Sequence, residues 1–168
     1  PRTLNMDPAD VARKITRKTK AIIPVHLGGY PVDMDPIMAL AKQHNLTVIE
    51  DGAHAFGATY KGKRIGTVGH FGAFSFHEVK NITSLGEGGI LCSNDPEFGP
   101  ELRRARFLGL DLSQQIPNWL YDVPAFKGKS GFFASGNYSS TEIQAVCLRS
   151  QMKRLKAIIA KRKKAFDY

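Results

Sequence analysis

Short apolar runs alternate with amphipathic segments along most of the chain, and this order predicts strands that alternate with helices. The apolar runs are residues 21–26, 46–50, 71–76 and 89–93, and the segments with helical spacing are 8–15, 35–45 and 96–108. Such an order is typical of an α/β fold, in which helices flank a mostly parallel sheet. Ligands of that fold gather at the carboxyl ends of the strands.

Local signals place several element boundaries. Asp7 followed by Pro8 predicts the capped start of the first helix. Asn45 predicts the end of the second helix, which we expect to begin at Asp35. Pro24 predicts an irregular or edge-like point in the first strand, since proline cannot donate a backbone hydrogen bond.

The last third of the chain divides into a loop and a helix. Residues 111–136 are rich in glycine, proline and aromatic residues and predict a long loop. A loop of this length is more typical of a functional segment than of a simple connection between two elements. A helix is expected from Glu142 onward, since Leu148, Met152, Leu155 and Ile159 keep helical spacing. We therefore expect one long, basic amphipathic helix over 141–168.

Charge raises the question of nucleic acid. The 168 residues carry a formal net charge of +9, and much of it lies in the final helical segment. A basic helix can follow phosphates. However, the apolar spacing and the lack of a base-reading motif favour an ordinary amphipathic helix with a solvated face. We therefore expect no nucleic-acid partner.

Several other classes of protein and site are disfavoured. Cys92 and Cys147 lack metal or redox spacing, which predicts reduced thiols and a cytoplasmic setting. No apolar stretch is long enough to span a bilayer, so we expect no membrane association. The five histidines show no metal-ligand spacing, so no metal site is expected. Residues 66–72 are rich in glycine but lack the dinucleotide-binding spacing.

The candidate chemistry lies after two of the predicted strands. Glu50 and Asp51 close one strand, while Ser75 and Lys80 lie in and after another. A lysine amine can condense with the aldehyde of pyridoxal phosphate (PLP), and a carboxylate can keep the pyridine nitrogen protonated. Strand alternation sends Glu50 and Asp51 to opposite sides, so only one of them faces such a site.

Six segments taken in order resemble a known family, the DegT-type PLP-dependent nucleotide-sugar aminotransferases of the aspartate aminotransferase group (fold type I). The segments are 21–29, 33–41, 50–57, 74–81, 86–89 and 136–138. The resemblance implies part of the large PLP-binding domain of a fold-type-I aminotransferase. Residues 1–140 would be its central part, and 141–168 would lead toward a smaller C-terminal domain. We therefore expect an incomplete part of the enzyme.

The resemblance also implies roles for individual residues. Lys80 would be the catalytic residue that attaches to PLP, and Asp51 would pair with the pyridinium. His54 would lie near the ring, and Ser75 would donate to the cofactor phosphate. Asn137 would reach the phosphate site of a neighbouring subunit, which implies a homodimer with shared active sites. Each of these residues also has a plain structural interpretation when it is considered alone.

The implied reaction transfers an amino group from an amino acid, glutamate or glutamine, to a keto sugar carried on a nucleotide. It would serve amino-sugar, polysaccharide or secondary-metabolite biosynthesis. Ser139 departs from the family, in which many members carry Arg or Lys there. Trp119, Tyr121 and Phe126 are candidates either for sugar recognition or for packing at a dimer interface.

Two alternatives stay open. Related PLP-dependent sugar dehydratases replace the reactive lysine with histidine, so the lysine at position 80 favours transamination. The other alternative is a non-catalytic fragment or paralogue that binds a partner through its basic C-terminal helix.

Overall fold

The structure, a computed structural model, describes residues 3–110, 126–128, 131–133 and 136–166. The chain forms two compact units, and each is described by itself. The first unit comprises Pro1–Asn94 together with Glu142–Tyr168, and the second comprises Asp95–Thr141.

In chain order the elements are α1 (Pro8–Lys14), β1 (Ala21–Ile22), a 3₁₀ turn (Leu27–Gly29), α2 (Met34–His44), β2 (Thr47–Asp51), β3 (Thr59–Tyr60), β4 (Lys63–Arg64), β5 (Phe71–Ser75), β6 (Gly89–Ser93), α3 (Phe98–Arg106), β7 (Phe126–Gly128), β8 (Gly131–Phe133), α4 (Glu142–Lys153) and α5 (Leu155–Phe166).

The sheet of the first unit has the strand order β1-β2-β5-β6. Strand β2 is parallel to both β1 and β5, whereas β6 pairs antiparallel with β5. The prediction of an α/β fold with a mostly parallel sheet is confirmed. Asp51 is in register with Ala73, so β2 and β5 present their carboxyl ends at the same edge of the sheet.

One apolar cluster holds α2 against the sheet. Helix α2 contacts both β1 and β2, and removal of its inner face from water stabilises that arrangement. The buried members of the cluster are Ile22, Val32, Met34, Ile37, Ala41, Leu46 and Val48.

The predicted boundary signals have clear structural counterparts. The Asp7 carboxylate accepts the Ala9 N–H at 2.9 Å and caps α1, with Pro8 at its first position. Asn45 ends α2 in the left-handed conformation, at a φ of 52°. The first strand is shorter than predicted: β1 stops before Pro24, and the chain rejoins the sheet only at an isolated bridge between Val25 and Asp51.

The prediction of one continuous C-terminal helix is wrong at one residue. Arg154 separates α4 from α5, and its N–H bonds to the carbonyl of Gln151, three residues earlier, at 2.9 Å. This tighter turn interrupts the regular α-helical ladder. Apolar spacing did not reveal it because Leu155 and Ile159 keep the same periodicity beyond the break.

The second unit contains α3 and a two-stranded antiparallel hairpin of β7 and β8. The prediction of an unbroken loop over 111–136 is therefore wrong for the residues of these two strands. Trp119, Tyr121 and the side chain of Phe126 lie outside the described residues. No helix in the described part of the chain has both the length and the apolar character needed to cross a membrane.

Candidate active site

Two of the predicted site residues lie at one edge of the sheet. Asp51 is the last residue of β2, and Ser75 is the last residue of β5. Both residues are half-buried. The Asp51 carboxylate accepts the N–H of Ala53 at 3.0 Å, and the Ser75 hydroxyl oxygen accepts the N–H of His77 at 3.2 Å. The sheet thus places a carboxylate and a hydroxyl at the edge where α/β folds bind ligands.

Lys80 lies in a closed loop, residues 76–88, which we call the lysine loop. The loop is closed at its base by the Phe76 N–H, which donates to the Gly88 carbonyl at 2.7 Å. Further along, the Glu78 N–H donates to the Gly86 carbonyl at 3.0 Å. The Lys80 side chain is half-buried, and within the described ranges its amine has no hydrogen-bond or ion-pair partner.

The lysine loop is closely packed at its base. The Phe56 ring meets the rings of Phe74 and Phe76 edge-on, with centroids 5.2 Å apart in both pairs. A side chain at Gly88 would collide with the hydroxyl of Ser84. The loop therefore has little freedom to shift against the sheet.

Asn81 joins the lysine loop to the turn that follows Asp51. Its side-chain nitrogen donates to the Phe56 carbonyl at 2.9 Å, and its side-chain oxygen accepts the Ile82 N–H at 3.2 Å. Because Asn81 follows Lys80 directly, this bond fixes the backbone beside the lysine relative to the Asp51 turn.

His54 lies in the same turn but is exposed. Its Nδ1 accepts the N–H of Gly28 at 3.3 Å, so the histidine supports the 3₁₀ turn of residues 27–29. Gly28 has a φ of 62°, a left-handed conformation that glycine adopts without strain. This bond holds His54 at the same rim as Asp51. The other ring nitrogen, Nε2, lies on the side of the ring away from Gly28.

Glu50 points to the opposite side of β2 and is fully buried. One carboxylate oxygen accepts the N–H groups of Val68 and Gly69 at 2.7 and 2.6 Å. The other accepts the Gly66 N–H at 2.9 Å and lies 3.2 Å from Nε2 of His26. Glu50 therefore anchors the 66–69 loop, and Asp51 is the carboxylate at the rim.

His26 is also fully buried, and its hydrogen bonds fix its tautomer. Nδ1 accepts the N–H of Val32 at 3.0 Å, so the ring proton is on Nε2, which donates to Glu50. Burial alone would raise the pKa of Glu50, but His26 and the backbone N–H groups of the 66–69 loop hold it below its ordinary value of 4.5.

Asn137 belongs to the second unit, where it is exposed and forms an isolated antiparallel bridge with Phe107. Its side-chain oxygen accepts the N–H of Ser139 at 3.1 Å. The structure therefore brings Asp51, His54, Ser75 and Lys80 onto one unit, whereas the role of Asn137 across a subunit boundary stays a prediction.

Two features of this region were not identified from the sequence. The Glu50–His26 hydrogen bond was overlooked because a buried polar pair has no periodic signature. The available signal was the loop from Gly66 to Gly69, whose backbone N–H groups need an acceptor when they are buried. The bridging role of Asn81 depends on Phe56, 25 residues away, and only the fold brings the two together.

A sequence profile of the DegT/DnrJ/EryC1/StrS aminotransferase family matches residues 1–168. The chain is 44% identical over 168 residues to GDP-perosamine synthase of Caulobacter vibrioides, an alignment that covers 100% of this chain and 42% of that protein. The chain thus spans about two fifths of the length of that relative.

Solved structures resemble the chain as well. An aminotransferase from Psychrobacter cryohalolentis aligns with a TM-score of 0.75 at 42% identity, over 90% of this chain and 38% of that one. GDP-4-keto-6-deoxy-D-mannose-3-dehydratase of E. coli with bound hydrated PLP aligns with a TM-score of 0.82 at 26% identity, over 99% of this chain and 43% of that one.

Proposed function

Because the chain belongs to the DegT/DnrJ/EryC1/StrS aminotransferase family, we propose that its protein is a PLP-dependent sugar aminotransferase. It would move an amino group from glutamate or glutamine to a keto sugar carried on a nucleotide. The net reaction exchanges the amino group of the donor for the carbonyl oxygen of the sugar. The likeness to GDP-perosamine synthase supports a nucleotide-linked sugar as the acceptor.

The residues at the rim fit PLP in chemical type. An amine, a carboxylate and a hydroxyl are the groups that an aldehyde, a pyridine nitrogen and a phosphate require, and Lys80, Asp51 and Ser75 supply them on one unit. When bound, PLP supplies an electron sink that stabilises negative charge on the substrate carbon. The single observation that carries the proposal is this convergence of the two strand ends and the lysine loop.

Lys80 would have two tasks. Its amine would attach to the cofactor by replacing the aldehyde oxygen, which leaves as water. When it is not attached to the cofactor, the Lys80 amine would take a proton from the substrate carbon and later return one, as a general base and acid. A half-buried amine without an ion-pair partner among the described residues is free to perform both tasks.

The other rim residues would bind and orient. The Asp51 carboxylate would keep the pyridine nitrogen protonated, and the Ala53 N–H would hold that carboxylate in place. Ser75 would donate its hydroxyl proton to the cofactor phosphate, while its oxygen accepts the His77 N–H. His54, fixed through Nδ1 by Gly28, would present Nε2 to the ring. We also propose a cytoplasmic homodimer in which Asn137 completes the neighbouring subunit's site.

The test is Lys80→Ala, compared with Lys42→Ala, which removes an exposed lysine from α2. Each full-length protein is incubated with PLP, reduced with borohydride and mapped by mass spectrometry, and transamination is measured in parallel. We expect a pyridoxyl group on Lys80 in the unaltered and Lys42→Ala proteins, and neither label at that position nor turnover in Lys80→Ala. Full transamination by Lys80→Ala would refute the assignment.

The dehydratase alternative has one observation in its favour, the fold likeness to the E. coli dehydratase. The lysine at position 80 opposes it, since histidine is expected at that position in those enzymes. Dehydration of a keto sugar without amino transfer, measured on the same preparations, would reverse this choice. For the binding-module alternative, tight salt-sensitive binding to random DNA without PLP labelling would be the distinguishing result.

A further inference from the structure

Helix α4 contacts the lysine loop through two glutamines. The Gln144 side-chain nitrogen donates to the Glu87 carbonyl at 2.9 Å, and the Gln151 side-chain oxygen accepts the Thr83 N–H at 3.2 Å. The two glutamines are seven residues apart, which is about two helical turns, so they lie on one face of α4. They hold two separate points of the same loop.

The lysine loop needs such restraints. The Thr83 hydroxyl oxygen is buried and, within the described part of the chain, has no hydrogen-bond partner. A buried hydroxyl without a partner disfavours the conformation that creates it. The bond from the Thr83 N–H to Gln151 offsets that penalty at the same residue, three positions from Lys80.

The opposite side of the loop is fixed by Asn81, which bonds to the Phe56 carbonyl. The backbone around Lys80 is therefore held between the Asp51 turn on one side and α4 on the other. The C-terminal helical segment also contacts that turn, since a side chain at Gly57 would collide with Ile159 of α5. One helical segment thus borders both parts of the candidate site.

We propose that Gln144 and Gln151 are positioning residues, which hold the lysine loop so that the Lys80 amine reaches the cofactor aldehyde and the substrate carbon. This inference rests on the proposed role of Lys80. The two glutamines act in opposite hydrogen-bonding senses, because Gln144 donates and Gln151 accepts.

That difference gives a sharp test. Glutamate can replace an accepting glutamine, but its carboxylate cannot donate to a carbonyl. Gln151→Glu should therefore preserve the loop, whereas Gln144→Glu, Gln144→Met and Gln151→Met should loosen it. A role in packing alone would make the two glutamate variants alike. The control is Gln43→Met, which changes an exposed glutamine of α2.

The first readout is hydrogen exchange of residues 76–88 in the full-length protein without added cofactor. Loss of one restraining bond should speed exchange of the loop amides about tenfold in the three loosened variants. The Thr83 amide should respond most strongly in Gln151→Met. Exchange should stay at the unaltered rate in Gln151→Glu and Gln43→Met.

The second readout is the rate at which borohydride fixes PLP on Lys80, together with the kcat and KM of transamination. In the loosened variants we expect slower labelling and a kcat lower by about ten- to a hundredfold, with little change in the KM of the sugar. Unchanged exchange and labelling in Gln151→Met, or equal behaviour of the two glutamate variants, would overturn the positioning role alone. No label on Lys80 in the unaltered protein would overturn this inference and the proposed function together.

Discussion

Replacement of Glu50 by glutamine tests the interpretation of the buried carboxylate. The two Glu50 oxygens serve three backbone N–H groups and the His26 ring. A glutamine keeps one oxygen and places an NH₂ group where the other oxygen was. Two of the four donors then face another donor and lose their acceptor. His26 cannot adapt by moving its proton to Nδ1, because that nitrogen accepts the Val32 N–H.

The expected loss follows from these bonds. Hydrogen bonds to a charged group contribute about 1.5–3 kcal/mol each, and a buried donor left without an acceptor costs about 1–3 kcal/mol. We therefore expect Glu50→Gln to lose about 3–5 kcal/mol of unfolding free energy. This is a large part of the roughly 5–15 kcal/mol by which a typical domain is stable.

The assay is urea unfolding followed by circular dichroism. With a typical slope of about 1–3 kcal/mol per molar urea, the midpoint of Glu50→Gln should fall by about 2 M. The matched control is Asp35→Asn. Asp35 also has a lowered pKa, because the Lys61 side chain bonds to it, but it is exposed and its ion pair is screened by water. We expect that midpoint to change little.

The reasoning would be refuted if Glu50→Gln unfolded at the same urea concentration as the unaltered protein. Such a result would mean that the buried network carries no net stabilisation. A loss of the same size in Asp35→Asn would also contradict it, since burial would then not separate the two carboxylates.

Two further predictions concern acid and the turn at Gly66. The folded pKa of Glu50 lies below its ordinary value of 4.5, so its stabilisation is present above that pH and is lost as the pH falls through the folded pKa. Unfolding free energies measured from pH 7 to pH 3 should therefore fall less steeply in Glu50→Gln than in the unaltered protein. Gly66→Ala should destabilise more than Gly62→Ala, by about 1–3 kcal/mol, because both glycines have a positive φ but only at Gly66 would the new methyl group collide with the Phe74 ring. Equal urea midpoints for the two alanine variants would contradict that packing argument.

Most of the sheet could be predicted from the sequence because the signals are local. Capping by Asp7, the stop at Asn45 and the apolar runs of β2 and β5 each depend on neighbouring residues. The break at Arg154 could not be predicted, since the apolar spacing continues across it. The hairpin of β7 and β8 is formed by three-residue strands, which are too short to show alternation.

In the candidate site, too, some features follow from local signals in the sequence and others follow only from the fold. Asp51 closes an apolar run, so the topology of an α/β sheet was enough to place it at the carboxyl edge, whereas the prediction for Ser75 rested on the family resemblance. The choice between Glu50 and Asp51 could not be made from strand alternation. Alternation shows that the two side chains point to opposite faces of the strand, but it does not show which face is the core. In the structure the N–H groups of the 66–69 loop donate to Glu50, so Glu50 occupies the core face and Asp51 the other face.

This anchor also bears on the role proposed for Asp51. The Glu50 carboxylate satisfies donors from the 66–69 loop and from His26, so it fixes the end of β2 from the core side. The Asp51 carboxylate, on the other side, accepts only the local bond from the Ala53 N–H within the described residues. With the role proposed for Asp51, the two adjacent acids would divide structure and function between them. We expect Glu50→Gln to lower the free energy of unfolding and to leave the PLP-labelled fraction of Lys80 unchanged among folded molecules. That result would support the division of roles.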